Sequence, residues 1–399
     1  MTPNGWDRHP VGKLCKSIVP GRNKPKKFDG DIAWITTPDI QGRYVPSNVQ
    51  QHYISEDAII ESGAKVIPAG SVIIAAVGEL GLTAIASEPL VLNQQLHAFV
   101  CPEFLDNEFL AYWFETQKPY MERIASKTTI PYMNKSNCES IPVSYPPLPE
   151  QKKIVQILST WDKAIETVEK LIENSQQKKK ALMQQLLTGK KRFPAFDGEW
   201  KEHLLGDLGY TYSGLSGKNK AHFGSGKPFI PYMNIFNNSK IDVHCVEKVM
   251  ISANESQSKA KYGDIFFTTS SETPEEVGMS SVLLDDVGEL YLNSFCFGFR
   301  LHHFDILSPE FASFLFRGAV TRQAISTLAQ GATRYNLSKK QMLKITLSLP
   351  SVEEQQRIST VLSSADQEIE TWQQELAHLK QEKKSLMQQL LTGKKRVAI

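Results

Sequence analysis

The sequence predicts an α+β protein: two repeated globular domains, separated by two long helices that pair as an antiparallel coiled coil within one chain. Three observations lead there. Residues 182–192 (LMQQLLTGKKR) recur without change at 386–396, so the chain contains an internal repeat with an offset of 204. The segments ending in those tails carry a heptad pattern of apolar residues. The rest of each half consists of short β-rich runs punctuated by glycine and proline.

The repeat divides the chain into four parts. Glu150-Gln151, Ile154, Leu158, Asp162 and Ile165 match Glu354-Gln355, Ile358, Leu362, Asp366 and Ile369 at the same offset. Upstream the match is fainter and the offset drifts. Trp6, Gly12 and Leu14 correspond to Trp200, Gly206 and Leu208, and Leu92-Asn93-Gln94-Gln95 to Leu292-Asn293-Ser294-Phe295. This gives globular domains over 1–149 and 193–353, each followed by a near-identical segment, 150–192 and 354–399. Two parts of the molecule have diverged while two have stayed alike.

In the first like segment the apolar seam reads Ile154, Leu158, Trp161, Ile165, Val168, Ile172, Leu182 and Leu186, with Ser175 and Lys179 at the intervening seam positions. In the second it reads Ile358, Leu362, Ala365, Ile369, Trp372, Leu376, Leu379, Leu386 and Leu390, with Lys383 between. Alternating steps of four and three sustain a 3.5-residue period, which marks a coiled-coil seam. Each segment follows a proline-bearing stretch and ends at a glycine, Gly189 or Gly393, so each helix should run roughly 55–60 Å. A parallel pairing would face Lys179 with Lys383 across an apolar seam. An antiparallel one separates them and can set Trp372 near the small Ser175. The antiparallel arrangement implies a two-fold axis across the helices, with the globular domains at opposite ends and turned about 180° from one another. The alternative is that each helix packs on a separate partner protein.

The globular domains should contain strands around Val66-Ile67, 71–77, 96–100, 264–269, 280–284 and 295–301, and helices at 107–114 and 309–317. The net charge of +2 conceals segregation. Residues 8–28 hold seven basic side chains and no acid, and residues 317–344 hold six and no acid. One basic face against an acidic remainder fits a nucleic-acid partner, and a solvated surface with chance clustering fits equally. No apolar run is long enough to span a membrane, and the polar start of the chain has no signal-peptide core. Five scattered cysteines without a CxxC pair fit a reduced, cytoplasmic protein.

Catalytic motifs are not found. Gly189-Lys190 and Gly393-Lys394 fail as phosphate loops, since Gln184 and Gln388 stand where the first glycine belongs and Lys191 and Lys395 where Ser or Thr belongs. Pro38-Asp39 with Glu199-Trp200-Lys201 could make a nuclease-like set, but they fall in different repeats. His302-His303 and His244-Cys245 read as exposed loop residues sooner than as metal ligands. No metal and no catalytic residue is assigned.

Leu148-Pro149-Glu150-Gln151-Lys152-Lys153-Ile154 and its second copy Glu353-Glu354-Gln355-Gln356-Arg357-Ile358 stand at the helix starts, with Leu-Leu-Thr-Gly-Lys-Lys-Arg at both helix ends and Leu92-Asn93-Gln94-Gln95 in the first globular domain. With these motifs the whole chain resembles the specificity subunits of type I restriction–modification systems. The resemblance implies a non-catalytic, prokaryotic, cytoplasmic and nucleoid-associated subunit whose two globular parts are target-recognition domains. Each would read one half of a split site in double-stranded DNA. The helices would space the halves and dock two modification (methyltransferase) subunits, joined by ATP-dependent translocase and nuclease subunits. S-adenosylmethionine, ATP and Mg would be bound by those partners and none by this chain. Half-sites one helical turn apart, about 34 Å, lie within reach of such a helix pair.

Polarity and loop-like position nominate the DNA-contacting residues. In the first domain these are Arg22, Lys24, Lys26, Lys27, Arg43, Gln94, Gln95, Lys127, Thr129, Asn134 and Lys135. In the second they are Lys218, Lys220, Lys227, Tyr232, Asn234, Arg334, Tyr335, Asn336 and Lys339. Cations would hold phosphates, and amides and arginines would read base edges. Gln94 and Gln95 could equally satisfy buried backbone groups at a strand end. A purely structural scaffold bearing two protein-binding domains is the main rival. A methyltransferase or nuclease in its own right is opposed by the missing motifs.

Overall fold

The computed structural model describes residues 3–21, 23–252 and 254–398. The chain forms two compact units. One combines residues 1–169 with 374–399, and the other comprises 170–373. Two helices of 39 residues, Leu148–Leu186 and Val352–Leu390, contribute to both. Each starts two residues before the repeated Glu-Gln pair, and Gly189 and Gly393 follow its C-terminus at φ +68° and +67°. Only glycine takes that left-handed conformation without strain.

In the first unit, Asp7–Pro10 pairs with Pro142–Tyr145, tying the start of the chain to the strand that leads into the long helix. A five-stranded sheet runs in the order Lys16–Ile18, Leu96–Val100, Val72–Ala75, Thr83–Ala86, Tyr44–Val45. A four-stranded sheet runs Tyr53–Ile54, Ile32–Ile35, Leu90–Leu92, Val66–Ile67. The helix Asn107–Thr116 is N-capped by Asp106, whose carboxylate accepts from Phe109 N–H at 2.9 Å. Its buried Phe109, Tyr112 and Phe114 fill one core with Trp6, Phe99, Ile154 and Leu158, with Leu390 at the end of the second long helix, and with Leu391 just beyond it.

The second unit repeats the plan with a phenylalanine-rich core. Lys201–Leu204 pairs with Thr346–Leu349. A four-stranded sheet runs Gly209–Ser213, Cys296–Leu301, Ile265–Thr268, Ser280–Val282. Phe267, Phe297, Phe299, Phe311, Phe314 and Phe316 pack on Leu186, Leu187, Ile358 and Leu362. The strands and helices expected from the sequence are present. So are several that their sequences had not announced, including Glu56–Ser62, Lys118–Ile124, Tyr232–Asn237 and Ala319–Ser326.

Within each unit the long helices run antiparallel. In the first, Lys383 Nζ lies 2.5 Å from Asp162 and Lys380 pairs with Glu169 at 2.8 Å. In the second, Lys179 pairs with Asp366, and Ser175, buried, donates to Glu368 at 3.0 Å. The seam has two regimes. Its ends (Ile154, Leu158, Leu386, Leu390; Leu182, Leu186, Ile358, Leu362) belong to the domain cores or pack against them, whereas Trp161, Ile165, Ile172, Ile369, Trp372, Leu376 and Leu379 are half-buried and lie outside those cores.

The seam lysines have a second task. Lys383 lies over the ring of Tyr112 at 5.3 Å, with Arg43 on the same ring at 3.7 Å. Lys179 and Lys240 approach Phe314 at 5.8 and 5.3 Å. In each unit, then, an aspartate, two cations and one aromatic ring pin a globular domain to the helices. Helix ends are fixed by a further repeated pair. Arg396 grips the buried Glu150 at 2.6 and 2.7 Å, and Arg192 grips the buried Glu354 at 3.0 and 2.6 Å.

Candidate nucleic-acid interface

Both units build the same rim from three segments, beginning with a short turn. Asn93 N–H donates to Ile35 O, and its side-chain oxygen accepts from Gln95 N–H at 3.1 Å, while Leu96 N–H returns to Asn93 O. Asn293 does the same. Its N–H donates to Ile230 O, its side chain accepts from Phe295 N–H at 2.7 Å, and Cys296 N–H returns to Asn293 O. The local asparagine-to-backbone bond stabilises the turn in each case and leaves the two following side chains at its tip. Gln94 and Gln95 are exposed there, and so are Ser294 and Phe295. The two glutamines therefore do not satisfy buried backbone groups. Gln95 Oε1 accepts from Thr37 Oγ1 and from Asn93 Nδ2 at 3.2 and 3.3 Å.

Backbone bonds tie each tip to the other two rim segments. Ala76 N–H donates to Gln95 O, and Ala76 O accepts from Met133 N–H. In the second unit Thr269 N–H donates to Phe295 O, and Thr269 O accepts from Leu337 N–H. The third segments are thus residues 126–134 and 329–337. The first carries Lys127 and Thr129, both exposed, with the exposed Ile130 and Tyr132. The second brings Arg334, Tyr335 and Asn336, where Ser270 pairs with Asn336 and Ser271 with Tyr335. Tyr232 completes this rim. It stacks on Phe236 with centroids 5.8 Å apart and donates to Ser270 O at 2.9 Å, and Arg334 Nε donates to Ser270 Oγ at 3.1 Å. Tyr232, Phe236, Ser270 and Arg334, with Met233, Phe295 and the acidic Glu272 and Glu276, line a depression of about 780 Å³.

Other nominated residues lie elsewhere. Lys24, exposed, stands over Phe28 and Trp34 at 5.8 and 5.7 Å, and Lys26 and Lys27 are exposed beside it in sequence. Arg22 lies outside the described residues. Asn134 caps the helix Lys135–Glu139 by accepting from Asn137 N–H at 2.8 Å, and Lys135 pairs with Glu139 one turn on. Lys220 is exposed at a 3-10 turn, and Lys227 pairs with Glu289 at 2.6 Å, which holds its ammonium above the ordinary lysine value. Lys339 donates to Ser213 at 2.8 Å, and burial lowers its proton affinity.

Three nominated residues are committed to partners inside the fold, Arg43 through one of its guanidinium nitrogens. Arg43 pairs with Glu115 at 2.8 Å and Asp162 at 3.4 Å. Lys218 is buried against Glu255 at 2.5 Å, and the lysine holds that carboxyl down at about 2. Asn234, 4% exposed, binds the main chain of Asp242 and Cys245. Polarity nominated all three, but whether a polar group is already satisfied depends on residues far away in sequence. Sequence reasoning missed Thr37, Met233 and Phe295. The matched Leu-Asn-x-x turns were the signal that could have found Phe295.

Among the described residues no group of three His, Cys, Asp or Glu side chains could hold a metal ion. None of their helices is long and apolar enough to cross a membrane. The arrangement offers exposed amides, hydroxyls, cations and apolar tips on a backbone-held rim, which is equipment for recognition.

Comparison with known proteins supplies the family. The model of the type I restriction modification DNA specificity domain matches this chain twice, over residues 3–174 and 198–381. The type I restriction enzyme MjaVIII specificity subunit of Methanocaldococcus jannaschii is 27% identical, the match covering 99% of this chain and 94% of that protein. The MjaIX specificity subunit of the same organism is 28% identical over 174 residues, which span 42% of this chain and 40% of that relative. In fold, the crystal structure of the type I restriction–modification S subunit from M. genitalium aligns with a TM-score of 0.57 at 16% identity, over 98% of this chain and 99% of that one. The chain belongs to the type I restriction–modification specificity-subunit family, in which DNA sequence recognition is the shared task.

Proposed function

We propose that each globular domain reads one half of a split site in double-stranded DNA, and that the paired long helices set the separation of the halves. The single observation that carries this reading is the repeated rim. One backbone scaffold is built twice within one chain and fitted with different side chains, as two reading heads for two different sequences require. Exposed cations such as Lys24, Lys26 and Lys27 hold phosphates and supply sequence-independent affinity. Gln94, Gln95, Arg334 and Asn336 reach base edges.

On this reading the chain performs no bond chemistry and binds no cofactor. Two modification subunits dock on the helices and methylate adenine with S-adenosylmethionine. Restriction subunits add ATP- and Mg-dependent translocation and cleavage. The complex works in the cytoplasm on the nucleoid.

Mapping methylated adenines in the host genome, with and without this gene, tests the proposal. The expected result is a two-part motif with a fixed spacer that disappears on deletion. An unbroken motif, or methylation unchanged by deletion, overturns it. A protein-binding scaffold would show no site preference in filter binding with its partners present.

A further inference from the structure

The two rim tips hold opposite chemistries on one geometry. At the first, Gln94 and Gln95 project amides, each with a donor and an acceptor side by side. At the second, the same asparagine-held turn projects Ser294 and Phe295, and the Phe295 ring is 61% exposed. Met233, 54% exposed, lies in the same depression. Behind them Tyr232 and Phe236 stack, and Arg334 is held by Ser270 at the edge. A phenyl ring and a thioether exposed in one depression, whose lining also includes Glu272 and Glu276, leave apolar surface in water at a cost of its burial free energy, which marks the Phe295 tip as a surface kept for an apolar ligand group.

This step rests on the reading of each domain as a half-site reader. A duplex offers one apolar group on its major-groove edges, the 5-methyl group of thymine. We infer that Phe295, backed by Met233, is a specificity-determining residue that contacts a thymine 5-methyl group in the half-site read by the second domain. The matching position of the first domain, Gln95, has its oxygen engaged by Thr37 and Asn93 and presents its amide N–H to a hydrogen-bonding acceptor such as a purine N7. Two features favour a methyl contact over insertion of the ring between base pairs. The turn is short, and its backbone is bonded on both sides through Asn293 and Thr269.

Deoxyuridine differs from thymidine only in that methyl group, so it isolates the contact. The full chain, assembled with its partner subunits, is titrated with duplexes carrying the genomic motif, each thymine replaced singly by deoxyuridine. At one position the wild type should lose roughly fourfold in affinity, the worth of one buried methyl. Phe295→Ala should bind the thymine and uracil duplexes alike, Phe295→Leu should keep most of the discrimination, and Gln95→Ala should leave it untouched. Because the ring is mostly exposed, none of these changes empties a core. A motif without thymine among its specified bases, no uracil-sensitive position, or a sensitivity that survives Phe295→Ala overturns the inference while the wild type still selects its site. A ring inserted between base pairs gives that last pattern or none. A wild type that selects no site overturns the half-site reading as well.

Discussion

Replacing Gln151 with alanine should unfasten the first long helix from its domain at a cost that the hydrogen-bond geometry sets. Gln151 is fully buried. Its oxygen accepts from Asp106 N–H at 2.8 Å, and its nitrogen donates to Phe104 O at 3.0 Å and Pro146 O at 2.8 Å. Alanine removes all three bonds and leaves three main-chain groups to find other partners. A net hydrogen bond is worth about 1 kcal/mol, and a buried group left unsatisfied costs about 1–3 kcal/mol. Asp106 is only half-buried, so water relieves part of the loss, and the sum comes to about 3 kcal/mol. For a unit of this size that lowers Tm by roughly 6–12 °C. Hydrogen exchange read by mass spectrometry should localise the effect to Asn107–Thr116, the helix whose cap depends on Asp106, and leave Pro309–Leu315 protected. Gln355→Ala should do the reverse, since Gln355 binds Ser308 N–H, Ile306 O and Pro350 O in the second unit. A loss below about 1 kcal/mol, or equal deprotection in both units from either substitution, would refute the reasoning.

Three further outcomes follow from named groups. His97 is buried, with Nε2 2.7 Å from Ser17 Oγ; burial pulls its proton affinity down to about 4, against a raising effect from Glu139 and a smaller lowering one from Lys135. The unfolded imidazole, near 6.5, is protonated first, so the first unit should lose about 3 kcal/mol as pH falls from about 6.5 to 4. His97→Gln should flatten that limb in urea titrations, and an unchanged slope would rule the linkage out. Burial alone would raise the Asp162 carboxyl, but hydrogen bonds from Lys383 and Tyr112 and the charges of Lys383 and Arg43 hold it below the ordinary value. Its contribution is therefore present above about pH 4 and is lost as pH falls through the lower, folded-state value. Wild type should outlast Asp162→Asn at pH 7, with the gap closing in acid; a gap that persists in acid would mean packing, not charge. Lys27→Ala should weaken binding to all DNA sequences alike and reduce the log–log salt slope by about 0.9. A loss confined to one sequence would contradict a phosphate role.

The repeat and the long helices were legible because they rest on identity and period, which survive without knowledge of tertiary contacts. Lys179 and Lys383 told against parallel pairing, and each meets an aspartate in its own unit. That they also reach an aromatic ring was not legible, because Tyr112 and Phe314 come from helices whose placement no local pattern specifies. The same limit explains the site. Gln94, Gln95, Arg334 and Asn336 could be nominated because polar residues in loop-like stretches are exposed at the rim. Arg43, Lys218 and Asn234 look identical by composition, yet each satisfies a carboxylate or a loop contributed by a distant segment. Phe295 was passed over for the opposite reason, since an apolar residue in a β-rich run reads as core until the turn exposes it.

The pattern of bonds also accounts for how two halves of one chain can share a frame and differ in what they read. The groups that fasten each domain to its helix bind main chain: Gln151 and Gln355 touch only backbone atoms, and Asn93 and Asn293 hold their turns mainly through the backbone. Backbone groups are the same whatever side chains they carry, so substitutions at the tips leave the frame in place. The charge–aromatic pins are less tolerant, and there the two units did change together, Arg43 with Tyr112 in one and Lys240 with Phe314 in the other. The phenol that donates to Asp162 is replaced in the second unit by the Phe314 ring, where Lys179 pairs with Asp366 and Lys240 turns to Ser363 at 3.1 Å. Exchanging Tyr112 for Phe would therefore convert the first pin to the form of the second, at the cost of one hydrogen bond to a charged carboxylate, or about 1.5–3 kcal/mol. Urea unfolding of that variant measures it, and a loss several times larger would show that the phenol holds more than the aspartate.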